Sequence, residues 1–140
     1  MKESDLQIMV ADYLRLRYPD VIFHSDFGSG IKLTVGQAAR QKRMNGGRRA
    51  YPDMFIAEPV HKNMAGAETL GINCYGLFIE LKKEGTKIYK KDGTLVANEH
   101  IREQFDMLEQ LRKRGYMAVF ACGYDEAVSV IDRYLGGAEM

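Results

Sequence analysis

The sequence predicts an α/β fold, a mixed central sheet flanked by helices, and three features predict it. Residues 75–81 (YGLFIEL) and 116–121 (YMAVFA) are almost continuously apolar, the pattern of strands covered on both faces. Segments near the start and near residue 105 repeat apolar residues at the helix period. These patterns alternate along 140 residues, a length suited to one domain, spanning 1–140, with a core that needs no staples.

The order of elements follows from local signals. Leu6, Met9, Val10, Tyr13 and Leu14 recur at three- and four-residue steps, predicting a helix over about 4–18 that Pro19 ends. Residues 21–24 (VIFH) read as a short strand leading into a loop at 26–30. A polar, basic helix is expected over 34–45, closed by Gly46-Gly47, and a short buried strand over 54–57. Residues 58–73 contain Pro59, Gly66 and Gly71 and read as an exposed excursion. After the 75–81 strand, Gly85 and Asp92-Gly93 predict a loop or small hairpin over 84–98. Ile101, Phe105, Leu108 and Leu111 form one stripe of a helix over 101–114, closed by Gly115. The 116–121 strand and a last helix over 125–135 complete the chain.

Composition narrows the function classes. With 46% hydrophobic and 28% charged residues, this is the makeup of a folded globular chain and not of a disordered one. Cys74 and Cys122 form neither a disulfide framework nor a zinc-ligand spacing, which fits a reducing compartment. No apolar run approaches the roughly 20 residues that span a bilayer. Charges at Lys2, Glu3 and Asp5 interrupt the place where a signal peptide builds its apolar stretch. A cytoplasmic protein with no membrane partner is expected. The net charge is only +1, yet Arg40, Lys42, Arg43, Arg48 and Arg49 stand together with no acid among them, and Lys82, Lys83, Lys87, Lys90 and Lys91 surround Glu84 alone. Such clusters can neutralise phosphates, although from charge alone a solvated surface with loop lysines is the commoner explanation.

The residues that break the apolar pattern carry the chemistry. Glu80 and Lys82 close a strand that should be buried, and strand alternation puts both on one face with Leu81 on the other. Burying such charges is costly unless they are paired, metal-bound or at a water-filled mouth. Asp53 opens the 54–57 strand in the same manner, after Pro52. If the two strands are neighbours, Asp53 and Glu80 converge, and two close carboxylates are natural ligands for a hard divalent cation. Taken alone, Glu-x-Lys is better explained by a surface ion pair at a strand end; its place after Leu77-Phe78-Ile79, with Pro52-Asp53 opening the preceding strand, reverses that. Gln104 is an uncharged polar residue on an apolar stripe, explained either by a simple hydrogen bond or by a side chain aimed at the site.

Pro52-Asp53 followed by Glu80-Leu81-Lys82 resembles the signature of the PD-(D/E)xK nuclease superfamily. More narrowly, the chain is similar to the VRR-NUC (virus-type replication-repair nuclease) family. The likeness runs from Glu3-Ser4-Asp5-Leu6-Gln7 through the basic stretch before Pro52 to Gln104 and the strand at Tyr116. It departs from the usual pattern in two places: Gly46-Gly47 lie further upstream of Pro52-Asp53 than the customary glycine, and the segment between Lys82 and Gln104 is long.

The resemblance implies a restriction-endonuclease-like core, with Asp53, Glu80 and the Leu81 backbone carbonyl as ligands of Mg2+ or Mn2+. It implies that Lys82 orients or deprotonates the attacking water and contacts the phosphate. Glu3 reaches the metal directly or through water in the same reading, or else is an acid well placed at a helix N-terminus. The implied activity is metal-dependent endonuclease cleavage of branched or structured DNA, resembling a Holliday-junction resolvase and acting as a homodimer. The alternative is a DNA-binding accessory domain without nuclease activity. Stand-alone family members are virus-associated or bacterial, so a virus-encoded protein acting in a host cytoplasm also fits. His24, His61 and His100 share no ligand spacing and are expected at the surface. Gly28-Ser29-Gly30 is no phosphate-binding fingerprint. The methionines are expected in the core, and Tyr51, Tyr75, Tyr89 and Tyr116 either pack or stack on bases.

Overall fold

The computed structural model describes residues 1–26, 32–61 and 73–136. Helices α1 (Glu3–Arg17), α2 (Val35–Met44), α3 (Glu99–Arg112) and α4 (Tyr124–Leu135) are interleaved with strands β1 (Phe23–Ser25), β2 (Met54–Ile56), β3 (Val60–His61), β4 (Asn73–Cys74), β5 (Leu77–Lys82) and β6 (Met117–Cys122). The main sheet has the order β1-β2-β5-β6. The first two pairings are antiparallel, and β5 and β6 run parallel, so α3 makes the crossover that a parallel pair requires. The result is the mixed sheet flanked by helices that the sequence predicted.

Alternation along β5 sorts its side chains between two cores. Leu77, Ile79 and Leu81 join Met54 and Ile56 beneath α1 and α4, whose Leu6, Val10, Leu14, Ile131 and Tyr134 complete that layer. Phe78 turns the other way, toward Leu108 of α3 and Ala118, with Phe55 stacked on its ring. Asp132 of α4 ties the first layer together by accepting hydrogen bonds from Tyr13 and Tyr18 at 2.6 and 2.7 Å.

Several boundaries differ from expectation. The first strand is Phe23–Ser25 rather than 21–24, because pairing with β2 places Phe23 opposite Ile56. Within the expected excursion after β2, β3 and β4 pair antiparallel, with Val60 opposite Cys74. Single-residue patterns cannot show so short a ladder. The 84–98 segment is a small hairpin, bridged between Tyr89 and Leu95 and anchored by buried Ile88. The methionines divide: Met54 and Met107 are buried, whereas Met1 and Met44 are exposed. Tyr116 packs edge-on against Phe55 and Phe78, while Tyr51, Tyr75 and Tyr89 keep large exposed surfaces. The Gly28-Ser29-Gly30 loop lies outside the described residues. No helix among the described residues is long and apolar enough to cross a membrane.

One glycine shows how tightly β2 and β5 meet. A Cβ on Gly76 would stand 2.6 Å from the Phe55 ring and 2.9 Å from the Ile56 carbonyl oxygen, and backbone cannot yield as a side chain can. Gly76→Ala should therefore cost about 1–3 kcal/mol. The expected observation is a lower urea midpoint with an unchanged slope, and an unchanged midpoint would contradict this packing.

Candidate active site

The site forms where β2 enters the sheet. Ala50 takes a left-handed backbone (φ 63°), an uncommon conformation for a residue with a Cβ, and turns the chain toward fully buried Pro52. Proline has no amide to satisfy, so it can lead into a strand without leaving a buried donor unpaired. Asp53 follows. The register sets Met54 opposite Ile79, and one step further along the antiparallel pair Asp53 faces Glu80. Both acids lie on the α3 side of the sheet, as Phe55 and Phe78 do.

Asp53 is held at both its side chain and its backbone. One carboxylate oxygen accepts the Leu81 amide at 2.8 Å. Its carbonyl accepts the Asp26 amide at 2.9 Å, and the Gln7 side chain donates to the carbonyls of Asp26 (2.6 Å) and Asp53 (3.4 Å). Glu80 is only 4% exposed and accepts a hydrogen bond from the Gln104 side-chain nitrogen at 3.1 Å.

The two carboxyls stand close enough to act on each other. Burial pushes Glu80 well above the ordinary carboxylate range, and the adjacent Asp53 charge pushes it further. Asp53 is raised as well, again by burial first, with its neighbour Glu80 and the hydrogen bond from the Leu81 amide opposing. The Lys82 charge favours ionisation of both acids, and the Glu3 charge disfavours it.

The remaining expected residues take distinct places. Lys82 is buried on the same strand, and its ammonium forms no ion pair with another described residue, so the surface ion pair that could have explained Glu-x-Lys is not what holds it. Glu3, in the first turn of α1, is near enough for its charge to act on Asp53 and Glu80. Even so, the described residues contain no group of three or more His, Cys, Asp or Glu side chains placed to hold one ion. The protein's own carboxylates at the centre are thus two, Asp53 and Glu80. Gln104 is 5% exposed, and its side-chain oxygen is buried with no hydrogen-bond partner.

Two polar residues here carried no assigned role in the sequence. His100 is exposed, as expected, but its Nε2 lies 3.2 Å from the Gln104 side-chain nitrogen, so Gln104 is shared between His100 and Glu80. The signal was the spacing: His100 precedes Gln104 by one helical turn. Gln7 is the second. It sits one helical turn before Val10 and two before Leu14, a polar residue on an apolar stripe just as Gln104 is.

The fold has a solved counterpart. A structure described as a VRR_NUC domain protein matches with a TM-score of 0.61 and 26% sequence identity, covering 97% of this chain and 89% of that one. The fold is VRR-NUC-like. No family model and no curated protein matches the chain. The VRR-NUC-like core is of the restriction-endonuclease type, and in this chain the end of its sheet brings Asp53, Glu80, Lys82 and Gln104 together.

Two predictions follow from the electrostatics and the hydrogen bonds. Glu80 keeps a proton when folded that it releases when unfolded at neutral pH. Its contribution to stability is full below the ordinary glutamate pKa and is lost as pH rises toward the raised folded value. In chelator, the melting temperature should therefore fall from about pH 5 to about pH 8 more steeply for the parent than for Glu80→Gln, whose amide carries no charge. Equal slopes would contradict the buried pair. Gln7→Met keeps the volume but takes the side-chain donor from the Asp26 carbonyl, the Asp53 carbonyl keeping the Asp26 amide, and it should destabilise by about 1–3 kcal/mol in a denaturant titration.

Proposed function

We propose that the chain is a Mg2+- or Mn2+-dependent endodeoxyribonuclease that hydrolyses phosphodiester bonds in branched or structured DNA, working as one nuclease domain and as a homodimer. The observation that carries this reading is the Asp53–Glu80 carboxyl pair, Glu80 buried and Asp53 partly so, with Lys82 on the same strand as Glu80. Two acids pressed together and shielded from water destabilise the free chain, and a divalent cation between them removes the repulsion.

The donor set fits such an ion. Asp53 and Glu80 offer hard oxygen ligands, and a strand residue's carbonyl leaves on the same edge as its amide, so Leu81 can add its carbonyl on the Asp53 side. Two carboxylates leave room for water and a phosphate oxygen. When bound there, the cation polarises the scissile phosphate and lowers the pKa of a coordinated water.

The chain's own groups do the rest. Lys82 presents a cation beside the two acids, where it can contact the phosphate and orient the attacking water. Gln104 holds one Glu80 oxygen in place, and its open side-chain oxygen is an acceptor for that water. Glu3 adds negative charge at the mouth, in keeping with a water-mediated role. The preference for branched DNA and the homodimer rest on the resemblance to the VRR-NUC family, and the cytoplasmic setting on a cysteine usage that fits a reducing compartment.

The test is incubation with Mn2+ or Mg2+ and a panel of duplex, flap, single-stranded and four-way-junction DNA. Cleavage is expected for branched substrates. Glu80→Ala and Lys82→Ala should each lower it by at least about 100-fold while keeping the fold and DNA binding. Undiminished cleavage in either variant refutes the assignment. Salt-sensitive binding with no metal-stimulated nicking by the parent identifies an accessory domain instead.

A further inference from the structure

We propose that α2 is an arm that grips duplex DNA beside the carboxylate pair, an inference that rests on the nuclease reading and names the element that holds its substrate. Residues 32–50 carry Lys32, Arg40, Lys42, Arg43, Arg48 and Arg49 and no acid. The helix within them, Val35–Met44, buries none of its residues, and Val35 and Met44 are 89% and 78% exposed. A helix of ten residues is too short to persist in water on propensity alone and ordinarily depends on packing an apolar face. Here the visible support is local: Thr34 and Gln37 close a reciprocal capping box at the N-terminus. What α2 lacks is a surface to lie on.

Its position says what that surface is. The chain leaves β1 at Asp26, whose amide donates to the Asp53 carbonyl, and re-enters the sheet through Ala50 and Pro52 at Asp53 itself. The whole segment is thus inserted at the end of the sheet where the two acids meet. Left-handed turns at Gly46, Gly47 and Ala50 fold the chain back from α2 to that point. On a helical wheel Gln37, Arg40 and Gln41 share one face, with Arg43 beside Arg40 on its flank, and arginine and glutamine are the side chains that fork onto phosphates and base edges. A ten-residue helix is about 15 Å long and about 10–12 Å across, dimensions that enter a major groove about 12 Å wide.

The surroundings direct where the duplex lies. Across an open cleft from Gly46–Arg49 stand Glu103 and Asp106 of α3, which repel phosphate and partly balance Arg48 and Arg49. Arg40, Lys42 and Arg43 have no ion pair among the described residues. Cations with no ion pair among the described residues, on an exposed helix whose chain leads back to the two acids, match a polyanion held close to, but not against, the carboxylates.

The test is fluorescence anisotropy of labelled duplex and four-way-junction DNA in chelator across a salt series. It compares the parent with the triple variant Arg40→Ala, Lys42→Ala, Arg43→Ala. Alanine preserves helix propensity, and circular dichroism checks the fold. A second triple variant, Lys87→Ala, Lys90→Ala, Lys91→Ala, removes the same charge from the 84–98 hairpin. The α2 variant should bind at least about 10-fold more weakly near 100 mM salt, with a log–log salt slope shallower by about 2–3. The hairpin variant should change less. Equal losses in the two variants, or an unchanged slope in the α2 variant, overturn the proposal, as does a duplex RNA whose binding depends on α2 while that of DNA does not.

Nicking with Mn2+, read in parallel, separates the two readings. Nicking that needs Glu80 but binding indifferent to α2 sinks the arm alone. Binding that needs α2 without any nicking sinks the nuclease alone.

Discussion

The contact between the Asp53 and Glu80 carboxyls organises this molecule. It exists because β2 and β5 pair antiparallel with Met54 opposite Ile79, which sets the two acids face to face one step further on. The register in turn is held by apolar alternation. A slip of one residue along β5 would send Glu80 and Lys82 in among the aliphatic side chains beneath α1 and α4 and bring Leu77, Ile79 and Leu81 to the α3 side. The hydrophobic layers therefore hold the acids together.

The cost of that arrangement is distributed among neighbours. Gln7 secures the backbone of β1 and β2, the Leu81 amide takes one Asp53 oxygen, and Gln104 takes one of Glu80. None of these removes the repulsion; each keeps the acids from turning away from it. Lys82 opposes the repulsion without forming an ion pair that would neutralise either acid. A group left in this state is costly for stability, the usual sign of a functional site rather than a structural one.

Much of this was legible in the sequence, for identifiable reasons. Long apolar runs named β5 and β6, and three-four periodicity named α1 and α3, because burial on both faces and on one stripe leaves strong patterns. Asp53, Glu80 and Gln104 stood out as polar residues where the pattern demanded apolar ones. Gln7 broke the same pattern in α1, yet its targets are the backbone carbonyls of Asp26, just after β1, and Asp53, just before β2, which only the fold brings near. His100 was set aside for lack of a metal-ligand spacing, whereas its partner is an amide one turn away. The β3–β4 pair escaped because two-residue ladders carry no periodicity. That α2 would be helical was plain from its composition, but not that it would stand unpacked, since polarity all round is compatible with either.

Calorimetric titration of the chelator-stripped protein with Mn2+ near pH 7.5 tests the central claim most directly, run in two buffers of different ionisation enthalpy so that proton release is read with the heat. The account predicts one site per chain, a proton leaving the Asp53–Glu80 pair as the ion enters, and loss of that binding in Asp53→Asn. Binding that survives this substitution, or an absence of binding by the parent at millimolar Mn2+, would contradict it.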